Sequence, residues 1–241
     1  MEIYYHPTCL SSYKLIKGLY EEGYLDKVNL INTANDFSRA LDKGVISVPY
    51  VFVKGRPSLV DPVTHEEVMD LLTGKKRGPL SLEEAVSNFV RAVMASSFAV
   101  TGAVIRGSFS HLLRGNFLKA ASKASLYEPS FSFRELTEII RKNDSRLFEE
   151  NRDRMVRTVA YDIVRISFWS GNTRLEENSV KMLLLSRGSL GRVAIPYPVG
   201  INGSLVASIM EVIRSRYEKY VEMLRQERNE ITSDHWYEKF L

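Results

Sequence analysis

The most reactive side chain of this 241-residue sequence occurs once, as Cys9 in the stretch YYHPTCLSSYKLIKGL. The pattern of apolar residues around it predicts a short strand over residues 2–5 and a helix that begins next to Cys9. Free N–H groups and the dipole at a helix start stabilise negative charge, which favours the thiolate form of a cysteine. The position of Cys9 therefore indicates a reactive thiol, although a lone cysteine near a helix start is more often structural.

Two polar neighbours, Ser12 and His6, could tune this thiol. Ser12 lies one helical turn after Cys9, so that its hydroxyl can donate a hydrogen bond to the sulfur in a C-x-x-S motif. His6 lies three residues before Cys9, and as a cation it would stabilise the thiolate; an exposed loop position without a role is the more common alternative. Because the chain has no second cysteine, the thiol can form only mixed disulfides, or be oxidised and then reduced by an outside thiol.

Strands and helices alternate through the part of the chain that must position Cys9. The predicted elements are, in order, a strand over 2–5, a helix after Cys9, a strand over 27–32, a helix over 36–44, a hairpin over 50–62 and a helix over 64–74. Thr64 and Glu67 have the spacing of a capping box at the start of the last helix. The order β-α-β-α-β-β-α predicts an α/β unit over residues 1–74, followed by a linker over residues 75–80.

Residues 81–241 carry helical periodicity and predict an all-α unit. Capping-box spacings mark helix starts at Ser81 and Ser132. Further helices are predicted over 103–126, 145–169, 174–188 and 204–230. The Gly/Pro-rich segment 188–204 is interpreted as a rigid connection between two long helices, with a lid or a partner-binding loop as the alternative.

Composition and charge limit the classes of protein. The sequence is 44% hydrophobic and 26% charged, as expected of a globular protein. It shows neither a basic leader nor an apolar run that could span a bilayer, so we expect a cytoplasmic protein with no membrane partner. The net charge is −3 over residues 1–74 and +7 over the rest, which indicates two units with different surfaces. Nucleic-acid binding is not expected, because no basic run exceeds KKR. One cysteine and four scattered histidines predict no metal site.

The X-Pro step in SVPYVFV completes a pattern that resembles a known family. A strand, C-x-x-S, a helix, a strand, a helix, X-Pro, a hairpin and a helix are similar to the thioredoxin superfamily, and most of all to glutaredoxin-like proteins. The resemblance covers residues 1–74. It implies that the Val48–Pro49 peptide bond is cis, that Pro49 packs beside Cys9, and that the backbone of Val48 pairs with a thiol substrate.

Three departures from that family concern the thiol and its ligand. Dithiol members have a second cysteine at the position of Ser12, and monothiol glutaredoxins have a glycine at the position of Leu10. Many members also have a Gly-Gly pair that helps to hold glutathione, where this chain has Leu-Val-Asp-Pro at residues 59–62. Asp61 remains as a residue that could receive an amine. An arsenate reductase-like start is a minor alternative, because the downstream basic motif is absent.

The layout of an α/β unit before an all-α unit is similar, in order and size only, to that of glutathione transferases. The resemblance implies a monothiol oxidoreductase or thiol transferase that uses Cys9 as nucleophile, assisted by Ser12, through mixed disulfides. It implies substrate-binding roles for Val48, Pro49, His6, Tyr5 and Asp61. Tyr5 would form an apolar wall of the site, for which ordinary core packing is the alternative.

The resemblance also implies the ligands and partners. Glutathione or another low-molecular-weight thiol is the implied cofactor, and a small thiol or a protein disulfide is the implied substrate. A homodimer could form through the amphipathic helices of the second unit. The alternative from a different functional class is a binding or scaffold protein that keeps a thioredoxin-like fold without turnover and binds a partner through its helices.

Overall fold

A computed structural model describes residues 1–113, 116–171, 175–189 and 201–241 of the chain. Its main sheet is mixed and contains β1 (Glu2–Tyr5), β2 (Asn29–Asn32), β3 (Tyr50–Val53) and β4 (Arg56–Val60). The strand order is β2-β1-β3-β4. The pair β1 and β2 is parallel, whereas β3 is antiparallel to both of its neighbours. The carboxyl end of β1 therefore lies next to the amino end of β3, and both ends border the loop that holds Cys9.

Helices make up most of the rest of the structure. Those that belong to the first 74 residues are α1 (Leu10–Glu21), α2 (Phe37–Asp42) and α3 (His65–Thr73). Those that follow are α4 (Leu82–Ala95), α5 (Ser97–Arg106), α6 (Asn116–Ala121), α7 (Phe133–Lys142), α8 (Asp144–Ser170), α9 (Glu177–Ser189) and α10 (Gly203–Thr232). A 3-10 helix over His235–Phe240 ends the chain. The structure thus combines a small mixed sheet with an extensive helical region.

Both faces of the sheet are buried. Side chains alternate along a strand, so Ile3 and Val51 face α1 and α3 and pack in a cluster with Leu15. Their neighbours Tyr4 and Phe52 face the other way, into the large cluster formed with the later helices. The central strands β1 and β3 are apolar at nearly every position because both of their faces are buried.

Capping determines where several helices begin. The predicted capping boxes at Thr64, Ser81 and Ser132 are all present. The predicted helix over 103–126 is wrong: Ser96 caps a helix that starts earlier, at Ser97, and Gly107 ends it in the left-handed conformation with φ of 64°. A separate α6 follows after a 3-10 turn.

The segment 75–80, predicted as a linker, is held to the fold by backbone pairing. Residues Pro79–Leu80 form a short strand, β5, which pairs in parallel with β6 (Glu128–Pro129). The N–H of Arg77 donates to the carbonyl of Leu126 at 2.9 Å. Most of the predicted loop over 188–204 lies outside the described residues.

No single described helix is long and apolar enough to cross a membrane. The pair α4 and α5 meets the test of length and composition only when taken together, and it is bent by 99°.

Candidate functional site

Cys9 is the N-cap of α1 and faces the start of β3. Its N–H donates to the carbonyl of His6 at 3.0 Å, and its own carbonyl accepts from the N–H of Tyr13 at 2.9 Å. The thiol donates to the carbonyl oxygen of Val48, with a sulfur-to-oxygen distance of 3.6 Å. The Val48–Pro49 bond is cis. The half-buried cysteine is thus held between a helix start and an X-Pro step.

Ser12 and His6 lie on the same loop and helix start. Ser12 is fully buried, and its hydroxyl oxygen accepts the N–H of His6 at 3.4 Å. The ring atom Nδ1 of His6 accepts the N–H of Thr8 at 3.3 Å, so this nitrogen carries no proton. Burial, then the charges of Arg165 and Arg187, lower the pKa of His6. His6 is therefore neutral near pH 7. It is not the cation that the sequence analysis considered as a stabiliser of the thiolate.

The pKa of Cys9 is raised above its ordinary value. Burial of the thiol is the largest cause, and the carboxyl group of Asp61 is the second. Hydrogen bonding by Ser12 and the charge of Arg165 act in the opposite direction but do not outweigh them. The helix start alone suggested a lowered pKa for Cys9. Its pKa is raised instead because the thiol is desolvated and faces the carboxyl group of Asp61.

Asp61 follows β4 and lies beside the X-Pro step. Its N–H donates to the carbonyl of Pro49 at 3.0 Å, which places it one residue from the carbonyl that the thiol contacts. The residue is 6% exposed. Burial raises the pKa of its carboxyl group to about 7, against the lowering effects of a hydrogen bond from Ser11 and of the cations Arg165 and Lys123. Among the described residues, its Oδ1 atom has no hydrogen-bond partner.

The later helices contribute charges to the same site. Arg165 of α8 forms an ion pair with Glu227 of α10, and its guanidinium group lies 5.4 Å from the ring centroid of Tyr161. Burial by itself lowers the pKa of Arg165, but the acidic groups around it, Glu227 and Cys9 first, raise it overall. Nearby, Arg187 of α9 pairs with Asp162 at 3.3 Å. Both arginines act on His6, so the helical region borders the thiol site.

The C-terminal 3-10 helix covers β1 and approaches the thiol. Tyr5 is buried, and its hydroxyl donates to the carbonyl of Phe240 at 3.4 Å. This places Tyr5 in the packing that the sequence allowed as its alternative. Tyr237 is fully buried, with its ring 5.0 Å from that of Tyr13. Burial is the main cause that raises the pKa of Tyr237, followed by the acidic groups of Tyr5 and Cys9.

The remaining predicted site residues lie around the X-Pro step. Pro49 is buried, and Val48 is partly buried against the large core. Leu59 and Val60, which precede Asp61, are both 0% exposed, so their side chains belong to the core.

Arg165, Glu227 and Tyr237 were not found from the sequence. They come from segments far from Cys9 along the chain, and each lies in an ordinary amphipathic pattern without a motif. The aromatic end of the sequence, HWYEKF, was the available signal, but its pattern does not show that the segment packs against β1.

A separate cavity of about 640 Å³ lies between α9 and α10, away from the thiol. Its lining residues are Leu175, Glu176, Glu177, Ala207, Met210, Ile213, Arg214 and Tyr217. Within the described ranges, no group of three or more His, Cys, Asp or Glu side chains could hold a metal ion. Comparisons with protein-family models, with curated proteins and with solved structures give no match.

Proposed function

We propose that this chain is a thiol-dependent redox protein with a thioredoxin-like unit over residues 1–74 and a helical unit over residues 81–241. The observation that carries the proposal is the contact between the thiol of Cys9 and the carbonyl of Val48, across a cis X-Pro bond. The strand order β2-β1-β3-β4, with Cys9 at the start of α1, supports the same assignment.

In the proposed reaction, the Cys9 thiolate attacks one sulfur of a disulfide R–S–S–R′. A bond forms between Cys9 and R–S, and the R′ thiolate leaves and takes up a proton from water. An outside low-molecular-weight thiol then attacks the mixed disulfide at the R sulfur, which releases the Cys9 thiolate and a new disulfide. In the net exchange the outside thiol is oxidised to the new disulfide and the R′ sulfur is reduced to a thiol. Cys9 ends in the state in which it began.

The site also supports a second candidate, a binding protein of the same fold without turnover. The observation in its favour is the raised pKa of Cys9, since only the thiolate is an efficient nucleophile. Under this alternative, Cys9 is a small buried residue at a helix start, and the helical region binds a partner.

Titration of the single thiol distinguishes the two candidates. Excess 4,4′-dithiodipyridine is added to the native chain, to the chain in denaturant and to the Cys9→Ser variant. We expect the native chain to release one thiopyridone per chain within minutes and the variant to release none. Release that occurs only in denaturant would contradict the redox function and favour the binding protein.

Ser12→Ala tests the proposed supporting residue in the same assay. The backbone N–H of Ser12, which the variant keeps, lowers the pKa of Cys9 more than its hydroxyl does. Because the variant loses only the hydrogen bond of the hydroxyl, we expect slower release near pH 7, by about threefold. An unchanged rate would remove Ser12 from the proposed mechanism.

A further inference from the structure

The carboxyl group of Asp61 is buried at the thiol site, and the exchange proposed above gives it no role. The residue is 6% exposed. Among the described residues, its Oδ1 atom has no hydrogen-bond partner. Buried polar atoms are normally paired, so a carboxyl oxygen left free next to a nucleophile points to a group that arrives with the substrate.

Backbone contacts place Asp61 next to the thiol. The thiol of Cys9 donates to the carbonyl oxygen of Val48, with a sulfur-to-oxygen distance of 3.6 Å. The next residue is Pro49, whose carbonyl accepts the N–H of Asp61 at 3.0 Å. The carbonyl that contacts the thiol and the carbonyl that contacts Asp61 therefore belong to consecutive residues.

The side chain of Asp61 points to the side of the sheet on which Cys9 lies. Val60 packs in the large cluster with the later helices, whereas Leu59 packs in the cluster of α1 and α3. Because side chains alternate along a strand, Asp61 shares the face of Leu59, which α1 covers. A hydrogen bond between the carboxyl group and Ser11, in the first turn of α1, agrees with this direction. The carboxyl group thus lies at the helix start that Cys9 caps.

The surroundings of Asp61 allow its carboxyl group to hold a proton near pH 7. The ionisable groups that face it are Cys9 from the loop, Arg165 from α8 and Lys123 from the segment after α6. The two cations and the bond from Ser11 favour the carboxylate, but burial outweighs them and raises the pKa of Asp61 to about 7. An acid with a pKa close to the working pH can give up and regain a proton, which suits general acid–base catalysis.

We propose that Asp61 is the general acid and base of the disulfide exchange at Cys9, and that its carboxyl group protonates the thiolate that leaves. The inference rests on the proposed function, because the proton moves only when Cys9 attacks a disulfide. This role differs from that of a receptor for an amine, which requires a charged carboxylate.

Both steps of the exchange balance with Asp61 as the proton carrier. The Cys9 thiolate forms a bond to the R sulfur of R–S–S–R′, the S–S bond breaks, and the R′ sulfur takes the bonding pair and the proton of Asp61. The Asp61 carboxylate then takes the proton of the outside thiol as that sulfur attacks the mixed disulfide at R. Cys9 leaves as a thiolate and Asp61 is protonated again, so both groups end as they began. Asp61 thus replaces the water that would otherwise supply the proton.

Two disulfides with different leaving groups test this inference. 4,4′-Dithiodipyridine releases a thiopyridone, which leaves readily without an acid, whereas 2-hydroxyethyl disulfide releases a more basic alkyl thiolate. Both reagents meet the same Cys9 thiolate, so the ratio of their rates is independent of the pKa of Cys9. Absorbance follows the release of thiopyridone, and the mass of the chain follows the mixed disulfide formed with the second reagent.

We expect the ratio of the hydroxyethyl disulfide rate to the dithiodipyridine rate at pH 6 to be about tenfold higher in the wild type than in Asp61→Asn. The amide has the size of the acid but has no acidic proton. The factor is below the roughly hundredfold or more that is usual for a general acid, because thiolates are already good leaving groups. Asp42→Asn is the control, because it removes an exposed carboxylate at the end of α2 and should keep the wild-type ratio.

The wild type gives a second measurement that needs no variant. The carboxyl group is an acid only while it is protonated, so the ratio should fall as the pH rises from 6 to 8.5, through the pKa of Asp61 at about 7. In Asp61→Asn the ratio should stay nearly constant over the same range.

The possible failures are distinguishable. A native thiol that reacts with neither disulfide would overturn both the proposed function and this inference. A thiol that reacts with both, at the same ratio in the wild type and in Asp61→Asn at pH 6, would overturn the inference alone. If Asp61→Asn does not fold, a wild-type ratio that is constant from pH 6 to 8.5 would overturn it as well.

Discussion

At the scale of single residues, the reactivity of Cys9 depends on which charges reach it. A helix start favours the thiolate, but desolvation and the carboxyl group of Asp61 favour the thiol. Only Asp61 among these influences changes its charge near neutral pH, since the pKa of its carboxyl group is about 7. The reactivity of Cys9 is therefore coupled to the ionisation of a neighbour.

Replacement of Asp61 by asparagine isolates this coupling. Below pH 6 the carboxyl group of the wild type is mostly protonated and neutral, so the two chains should be alkylated by iodoacetamide at similar rates. Above pH 8 the wild type carries a negative charge that disfavours the thiolate, and Asp61→Asn should react faster, by about tenfold or more, since one charge within about 12 Å at an effective dielectric constant of about 20 contributes at least about 1.4 kcal/mol. The measurement is the rate as a function of pH for both chains.

Asp42→Asn is the control for this prediction, because it removes an exposed carboxylate at the end of α2. It should follow the wild type at every pH value. A rate ratio between Asp61→Asn and the wild type that stays constant from pH 5.5 to 8.5 would contradict the coupling.

At the scale of helices and strands, α1 and α3 cover one face of the sheet by a close approach at Gly18. A Cβ atom built at Gly18 would lie 2.8 Å from Cβ of His65, the first residue of α3, and closer still to its ring. The absence of a side chain at this position therefore allows the two helices to pack.

The close approach reverses the usual effect of glycine in a helix. Gly→Ala in a helix interior normally stabilises by about 0.5–1 kcal/mol. Here we expect Gly18→Ala to destabilise the chain by about 1–3 kcal/mol, because the added methyl group overpacks against α3. The measurement is the free energy of unfolding in urea.

A second substitution removes part of the overlap and gives the control. The double variant Gly18→Ala/His65→Ala should recover part of the loss, because the contacts of the methyl group with the ring are removed while the contact with Cβ of residue 65 remains. A single variant at least as stable as the wild type would show that α3 moves at little cost, contrary to this prediction.

Local patterns were sufficient for most elements of the first 74 residues and for several helix starts. The boxes at Thr64 and Ser81 could be found because a cap and its partner are three residues apart. The start of α5 was placed too late, at residue 103, because Ser96 lies in a continuous apolar run, where periodicity gives no boundary.

The candidate site was only half predictable for a related reason. Cys9, Ser12 and Pro49 stand in local patterns, whereas Arg165 and Tyr237 act on the charge of the thiol only through the tertiary fold. The bond between Tyr5 and Phe240 spans 235 positions, and no spacing rule connects such residues. Contacts between residues so far apart depend on how the helices pack over the sheet. That packing cannot be derived from a single sequence.

At the scale of the whole molecule, the face of the sheet turned away from α1 is covered by the later helices. One continuous cluster joins Tyr4 and Phe52 to Phe89 of α4. The buried hydroxyl of Ser96 caps α5 and donates to the carbonyl of Ile46 at 2.8 Å. Lys123 and Glu67 form a further ion pair between the two parts at 2.6 Å. A unit over residues 1–74 would expose much of that apolar face if it stood alone.

These contacts predict that the chain unfolds in one transition, even though its charge pattern suggested two units. Trp236 stacks on Tyr20 of α1 with ring centroids 4.3 Å apart, so in Trp169→Phe its fluorescence reports the contact with the first helix. Far-UV circular dichroism reports mainly the later helices. We expect the two signals to give the same urea midpoint, because neither part keeps its core without the other.

Ser96→Ala then tests whether the junction couples the two parts. Loss of the helix cap and of the bond to Ile46 should lower the free energy of unfolding by about 1–2 kcal/mol. In a single cooperative unit this loss moves both midpoints equally, since each probe reports the same equilibrium. If the circular dichroism midpoint moved while the Trp236 midpoint stayed in place, the contact between the C-terminal 3-10 helix and α1 would outlast the other helices, and the chain would not unfold as a single cooperative unit.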